Sequence, residues 1–146
     1  MKAHNQATLE FMSRSANESF ARTAAACFAA QLDPTLEEIN DIKTAVSEAV
    51  TNAIVHAYPD RLGAITLTMR LFENGHIQVQ VKDKGRGIPD VDKAMEPLFT
   101  TGGEERSGLG FSVMESFTDR LRVKSTEGKG TTVTLEKYIA PRVRGK

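Results

Sequence analysis

The sequence predicts an α/β sandwich of the α+β class, in which helices cover one face of a single sheet and leave its other face open. Two observations support this prediction. The elements follow the order strand, two helices, two strands, a short helix, a helix and two strands, which is not the single alternation of a doubly wound parallel sheet. Two pairs of alternating segments are each joined by a short turn, which indicates hairpins and a mixed, mostly antiparallel sheet.

The chain begins with a strand and a helix. The segment TLEFM at 8–12 alternates apolar and polar side chains, which is typical of a short strand. Ser15 and Glu18 have the spacing of a capping box. This pattern predicts a helix that begins there and ends at about Leu32.

A second helix follows a break at Pro34. Thr35 and Glu38 form another capping box, and the helix that they open should continue to about Ala57, where YPDRLG ends it. Placed at 100° steps, its apolar residues fill one half of the helix wheel. They are Ile39, Ile42, Ala45, Val46, Ala49, Val50, Ala53 and Ile54.

The second half of the chain is dominated by two hairpins. Asn74 and Gly75, between the first pair of alternating segments, are a strong turn signal, and TEGKG separates the second pair. The predicted elements are strands at 64–72 and 76–83, a short helix within 90–97, a helix within 108–119, and strands at 120–125 and 130–138.

Composition narrows the class of protein. The chain has 146 residues, which suits one domain spanning 1–146, with a core at about 9–137 and a short flexible C-terminal tail. Its 19 basic and 19 acidic residues cancel, which disfavours direct binding to nucleic acid. The start of the chain lacks the apolar core of a signal peptide, and no run is long enough to span a membrane. We therefore expect a soluble, cytoplasmic protein, with the single Cys27 packed rather than reactive.

The second helix also carries a polar stripe. Glu48, Asn52 and His56 follow one another at four-residue spacing along one edge of the apolar half. Such a stripe is often only the polar margin of an amphipathic helix. An acid and an amide in line, however, could serve a site at the edge of the core. A helix-edge histidine is more often a hydrogen-bonded structural residue, and we assign His56 no role.

Asp83 ends a strand whose inward residues are apolar. It has the parity of Ile77, Val79 and Val81, so its carboxylate should point to the buried face, where it needs hydrogen-bond donors. The glycines of GRGIP directly after it allow the backbone to approach a flat ligand. The segment could equally be a plain turn in which the carboxylate accepts backbone amides.

A glycine-rich loop at 100–111, TTGGEERSGLGF, leads into the next predicted helix. Backbone amides at 108–110 would be unpaired donors at a helix N-terminus, which favours anions such as phosphate. The spacing is neither that of a P-loop nor that of a dinucleotide fingerprint. Taken alone, such a loop is weak support for a site.

Together these motifs resemble a known ATP-binding fold. The order ExxxN on a helix, DxGxGIP after a strand, SGLGF before a helix and a terminal GTT strand is similar to the GHKL, or Bergerat, domains of Hsp90, DNA gyrase, histidine kinases and MutL. The segments ANESFAR, SEAVTNAIVHAY, DKGRGIPD, PLFTT and ERSGLGF narrow the likeness to the anti-sigma serine kinases, in the branch that controls the sporulation sigma factor F. The likeness covers about Leu9 to Lys137.

The resemblance implies ATP and Mg²⁺ as cofactors and gives the motifs roles. Glu48 matches the general base that takes the proton of an attacking hydroxyl, and Asn52 matches the Mg²⁺ ligand. Asp83 matches the acceptor of the adenine amino group, and Thr131 matches a threonine that contacts adenine through water. The other matches, beside the purine or in the phosphate-binding lid, are Gly85, Gly87, Thr100, Thr101, Arg106, Ser107, Gly108 and Gly110.

The same resemblance implies protein partners. They are a sigma factor, an anti-anti-sigma factor that is phosphorylated on serine, and a second copy of the chain in a homodimer. Arg22 on the first helix is expected to contact a partner, although it could equally be a solvated helix arginine. A kinase that controls a stress-response sigma factor, and a non-catalytic ATP-gated clamp, remain alternatives; retention of both Glu48 and Asn52 favours a kinase.

Overall fold

A computed structural model describes residues 2–95 and 110–140 of the chain. In these residues it has five strands in one sheet, of order β1-β2-β3-β5-β4, and every neighbouring pair is antiparallel. The strands are β1 (Asn5–Met12), β2 (Ala64–Phe72), β3 (His76–Asp83), β4 (Arg120–Thr126) and β5 (Gly130–Tyr138). The helices are α1 (Asn17–Ala29), α2 (Leu36–Asn52), α3 (Val91–Ala94) and α4 (Phe111–Ser116). The predicted fold class is confirmed.

The core lies between the helices and one face of the sheet. Every second residue of β2 from Ile65 to Leu71, and of β3 from Ile77 to Val81, is apolar and buried on that face, as the two-residue period of the sequence requires. Helices α1 and α2 pack against each other and supply the other half of the core, with alanines such as Ala21 and Ala25 letting them come close. Full burial of a large aliphatic side chain is worth about 1.5–3 kcal/mol, so this layer holds the sheet and helices together.

The opposite face of the sheet is polar. Arg70 on β2 donates to Gln78 and Gln80 on β3, at 3.0 and 2.9 Å, and Gln80 donates to Thr134 on β5. Such cross-strand pairs on an open sheet face stabilise the register of the strands.

The two predicted capping boxes differ in outcome. Thr35 accepts from the Glu38 amide at 3.0 Å, and the Glu38 carboxylate accepts from the Thr35 amide at 2.8 Å, so the second box is confirmed. The first prediction is wrong, because Ala16 occupies the N-cap and makes no side-chain bond. The helix begins one residue too late for Ser15 to cap it, and Glu18 pairs with Arg22 at 2.9 Å instead.

Local predictions elsewhere mostly hold. Asn74 and Gly75 both have positive φ, 64° and 79°, which confirms the tight turn between β2 and β3. The sheet starts at Asn5, earlier than the predicted strand. Cys27 is exposed rather than packed, because the buried stripe of α1 consists of alanines and Cys27 lies off that stripe. In the described part of the chain, no helix has the length and apolar character needed to cross a membrane.

Candidate functional site

The site is built on the C-terminal end of α2. Directly after α2 the chain continues in a π-helical turn, Ala53–Ala57, a widened turn that is frequent at functional sites. Glu48, Asn52 and His56 are all of intermediate exposure, as expected for an edge between the core and solvent. Tyr58 ends the turn; its hydroxyl donates to the Ala64 carbonyl at 2.7 Å and accepts from the Lys84 amide at 2.8 Å.

A cleft opens between this helix end and the inner face of β3 and β5. The space between its lining atoms is about 390 Å³, which includes space that is open to solvent. Its floor is apolar and its rim carries a few polar groups. The lining residues are Ala49, Asn52, Ala53, His56, Ala57, Val81, Asp83, Gly87, Ile88, Phe111, Thr131 and Val133.

Asp83 is the buried carboxylate of the cleft, only 8 % exposed. Its Oδ1 accepts from the Gly85 amide at 2.9 Å and from the Thr131 amide at 3.2 Å. Burial raises the pKa of Asp83, and the two amides offset this only in part. Both amides go to Oδ1, which leaves Oδ2 for a ligand that presents a hydrogen-bond donor.

The loop after β3 is held against the π-helical turn by backbone contacts. The Arg86 amide donates to the Ala57 carbonyl at 2.9 Å, and the Arg86 Nε donates to the His56 carbonyl at 3.0 Å. Gly85 packs on Ala57 so closely that a Cβ there would collide with the Ala57 carbonyl oxygen. The structure thus places Gly85 against the helix, whereas Gly87, with φ of 77°, lies on the cleft wall.

Strand register brings one further polar residue behind the cleft. Asp83 pairs with Thr131, and Thr131 pairs with Ser125 on β4. The Ser125 hydroxyl lies 2.8 Å from the Thr131 hydroxyl and accepts from the Ile88 amide at 2.8 Å. Our sequence analysis missed Ser125 and Tyr58; the inward parity of Ser125 with Leu121 and Val123 was the available signal.

Glu48 is not among the described residues that line the cleft; it lies next to α4. Gly110 is the N-cap of α4 with φ of 60°, and a Cβ at that position would collide with Oε1 of Glu48. Burial raises the pKa of Glu48. Its carboxylate therefore lies where the predicted phosphate-binding loop rejoins the described chain, one helical turn from Asn52.

His56 also lines the cleft, which its sequence context did not reveal. Burial, with a smaller contribution from the Arg86 charge, lowers the pKa of His56. The imidazole is therefore neutral at pH 7, so it adds a polar but uncharged group to the rim.

The remaining predicted residues divide into two groups. Thr100, Thr101, Arg106, Ser107 and Gly108 lie outside the described residues. Arg22 is on α1, partly exposed and paired with Glu18, and it does not line the cleft.

Few of the described side chains around the cleft could act as ligands of a metal ion. Within residues 2–95 and 110–140, no group of three or more His, Cys, Asp or Glu side chains could hold a metal ion. Asn52, which lines the cleft, offers an amide oxygen. Mg²⁺ takes oxygen ligands and keeps several waters beside substrate phosphates, so this amide oxygen could be one of its ligands.

Comparison with known proteins agrees with this cleft. The family model described as the histidine kinase-like ATPase domain matches residues 11–137, and this class of domain implies ATP binding. Anti-sigma F factors are similar over nearly their whole length. The one from Caldanaerobacter subterraneus subsp. tengcongensis is 59% identical over 95% of this chain and 97% of its own. That of Geobacillus kaustophilus is 53% identical over 93% and 94%. The chain belongs to the anti-sigma F factor family.

Solved structures show the same fold at low sequence identity. The RsbU and RsbW domains of a Mycobacterium tuberculosis protein superpose with a TM-score of 0.72 at 20% identity, over 96% of this chain and 34% of that one. The mycobacterial sensor histidine kinase MprB gives a TM-score of 0.56 at 16% identity, over 94% and 100%.

Proposed function

We propose that this protein is an anti-sigma factor and protein serine kinase. It binds and inhibits a sporulation sigma factor of the sigma F type, and it uses MgATP to phosphorylate a serine of its anti-anti-sigma antagonist. Support comes from the anti-sigma F relatives, from the ATPase domain family and from the chemistry of the cleft. Phosphoryl transfer requires positioning, charge neutralisation and a group that orients or deprotonates the attacking hydroxyl.

The chain's own residues divide these tasks along the cleft. Asp83 and Thr131 recognise the base, and Asn52 holds Mg²⁺, which neutralises charge on the phosphates when bound. Thr100, Thr101, Arg106, Ser107, Gly108 and Gly110 belong to the proposed phosphate-binding segment.

The placement of Glu48 carries the proposal of catalysis. Its carboxylate lies beside the N-cap of α4, one turn from Asn52, and burial raises its pKa. A carboxylate with a raised pKa is a stronger base than one in water. A binding protein without catalysis has no use for such a group at this position.

Partner binding extends the proposal beyond the cleft. Arg22 on α1 contacts a partner protein, and a homodimer presents two copies of that surface to one sigma factor. The protein acts in the cytoplasm, where the transcription machinery is found. It has no direct contact with nucleic acid or membrane.

The test of catalysis replaces Glu48 without changing its shape. Glu48→Gln should bind ATP and the sigma factor normally but lose about 10²- to 10⁴-fold in the rate of serine phosphorylation, because glutamine cannot accept the proton. The wild-type rate should rise with pH as Glu48 ionises, with a midpoint above the ordinary value of 4.5, and the variant should lack this limb. Single-turnover transfer of labelled γ-phosphate to a purified antagonist measures both.

Glu37→Gln is the matched control, since Glu37 is an exposed acid in the first turn of the same helix. Wild-type rates in Glu48→Gln would show that Glu48 is not the base. If even the wild type transfers no phosphate while ATP-dependent capture of a sigma factor persists, the protein is the non-catalytic clamp. Capture of a stress-response sigma factor in preference to sigma F would correct the choice of partner.

A further inference from the structure

A second groove lies at one end of the polar face of the sheet, where β3, β5 and β4 meet the turn between β4 and β5. The space between its lining atoms is about 680 Å³, which includes space that is open to solvent. Asp83 and Thr131 belong to its lining, but their side chains lie on the core face. Its character comes from four exposed lysines and two threonines, which are Lys82, Lys84, Lys124, Lys129, Thr126 and Thr132.

Strand register sets the spacing of the lysines. Lys82 on β3 and Lys124 on β4 both pair with Thr132 on β5, so one strand lies between them. Neighbouring strands are about 4.8 Å apart, which puts the two lysine Cα atoms about 10 Å from each other. Lys84 follows two residues after Lys82, a step of about 6.6 Å along an extended chain. The lysines therefore surround the groove rather than form a single line.

The backbone below these lysines is held in place. Gly130 packs against the end of β3 so closely that a Cβ there would collide with the Asp83 carbonyl oxygen. The Lys84 amide donates to the Tyr58 hydroxyl at 2.8 Å. The β4–β5 turn and the end of β3 thus form one ordered support, and the four ammonium groups differ in position only through their flexible side chains.

The positive charge of the groove is not neutralised by nearby acids. None of the ion pairs between described residues includes any of the four lysines. Glu127, in the adjoining turn, is not among the described lining residues, and Glu10, in the same row of the polar face, lies two strands away from Lys82. Like charges collected around a concave surface raise the local potential, so the groove attracts anions.

The chemistry of the lining discriminates between classes of anion. Compact phosphate sites use converging backbone amides or the fork of an arginine. Here the Gly128 and Lys129 amides already donate to the Arg86 and Thr126 carbonyls, at 2.7 and 2.8 Å. Single-stranded nucleic acid is held by stacking on aromatic side chains, and the described lining of the groove contains none. Carboxylates, which pair with separate lysines one at a time, are the remaining class.

We propose that this groove binds an acidic segment of a partner protein. In an extended segment, carboxylates at alternate positions recur about every 6.6 Å on one side, which is the step between Lys82 and Lys84. Lys124 and Lys129 flank the same segment from the β4 side. The groove is a different surface from the one proposed around Arg22, and its ligand does not require ATP in the cleft. Charge pairs of this exposed kind contribute chiefly to association rate and to the choice of partner.

The test uses a labelled ten-residue peptide that alternates glutamate and serine, titrated with the protein and followed by fluorescence anisotropy. The glutamate peptide should bind, with an affinity that falls as salt is added, and the same peptide with glutamine should not bind. Lys82→Gln/Lys124→Gln should weaken binding about 2- to 25-fold, the range for two exposed ion pairs. Reversal of all four lysines to glutamate should transfer binding to a peptide that alternates lysine and serine.

Lys2→Gln/Lys43→Gln is the matched control, because it removes the same charge from residues that do not line the groove, and it should bind the peptide as the wild type does. Equal weakening in this control, or no binding by the wild type, would overturn the inference. So would tighter binding of tripolyphosphate or of a DNA duplex at the same lysines.

Two further measurements separate the groove from other surfaces. Size-exclusion chromatography of Lys82→Gln/Lys124→Gln should give the wild-type oligomeric state, and a change would instead make the groove a contact between copies of the chain. ATP affinity should also be unchanged in this variant, and its loss would assign the lysines to the nucleotide site. A wild type that binds the glutamate peptide but no ATP would contradict the proposed function and leave the groove supported.

Discussion

The burial of Asp83 lowers the stability of the folded protein at neutral pH. Burial raises the pKa of Asp83 in spite of two amide donors, so the folded state holds the proton more tightly than the unfolded chain does. Stability from this group is therefore lost as pH rises from its ordinary value of 3.8 through the raised folded value, and the loss persists at pH 7. A buried carboxyl group with a perturbed pKa that lines a cleft indicates a binding role.

Asp83→Asn should accordingly separate binding from stability. Asparagine keeps an oxygen for the Gly85 and Thr131 amides but loses the charge-assisted bond to the adenine amino group. We expect ATP affinity to fall about 10- to 100-fold, as for a hydrogen bond of about 1.5–3 kcal/mol to a charged group. The free energy of unfolding at pH 7 should not fall. Nucleotide titration and urea denaturation measure the two quantities, and unchanged affinity in a folded variant would remove Asp83 from the site.

For a single strand residue, the sequence shows which face of the sheet its side chain lies on. It does not show which residue lies beside it on the next strand. The parity of β3 and β5 predicts Asp83 and Thr131 on the buried face, because side chains alternate strictly along a strand. Ser125 and Tyr58 escape this argument. Their hydroxyls matter only because register and a chain reversal bring them to Thr131 and to the Lys84 amide.

Among the elements, the loop after β3 and the π-helical turn act as one unit. The amide of Arg86 bonds to Ala57, its Nε bonds to His56, and its carbonyl accepts from the Gly128 amide at 2.7 Å. The loop is thus tied both to the helix and to the β4–β5 hairpin. Because Asp83 and Gly87 lie at the two ends of this stretch, its position sets the shape of the cleft.

Gly85→Ala tests this docking. The added Cβ would meet the Ala57 carbonyl oxygen, so the loop must shift away from the helix. Overpacking of this kind costs about 1–3 kcal/mol, and we expect ATP affinity to fall at least about five-fold while the protein stays folded. Lys84→Ala, at the exposed neighbouring position, is the control and should bind ATP normally. If Gly85→Ala binds as tightly as Lys84→Ala, the docking does not shape the site.

A helix cap or a turn can be predicted from the sequence when the residues that cause it lie close together in the chain. The Thr35 box and the Asn74–Gly75 turn depend on residues within a few positions, and both hold. The Ser15 capping box does not form because α1 begins at Asn17, which makes Ala16 the N-cap. The π-helical turn has no sequence signal of its own.

For the molecule as a whole, the site depends on how the chain returns to the sheet. β5 pairs with β3 and leaves β4 at the edge, which puts Thr131 beside Asp83 although they are 48 positions apart. The hairpins could be predicted from their turns, but this order could not, because it is decided by long-range packing. A ligand that contacts both β3 and β5 should therefore stabilise the entire fold.

The last prediction uses that coupling to locate the metal. At an ATP concentration of about 100 times Kd with Mg²⁺, binding adds about 2.7 kcal/mol to the free energy of unfolding, or roughly 5–10 °C in Tm for a chain of this size. Asn52→Ala should lose the part of this shift that EDTA removes from the wild type, because the amide oxygen that holds Mg²⁺ is gone. Asn40→Ala, an exposed asparagine on the same helix, should keep the full shift. Differential scanning calorimetry measures Tm with and without ATP, each in the presence and absence of EDTA, which gives four values for each protein. An Mg²⁺-dependent shift that survives in Asn52→Ala would mean that the metal is held elsewhere, and the cleft would then need another oxygen ligand beside the phosphates.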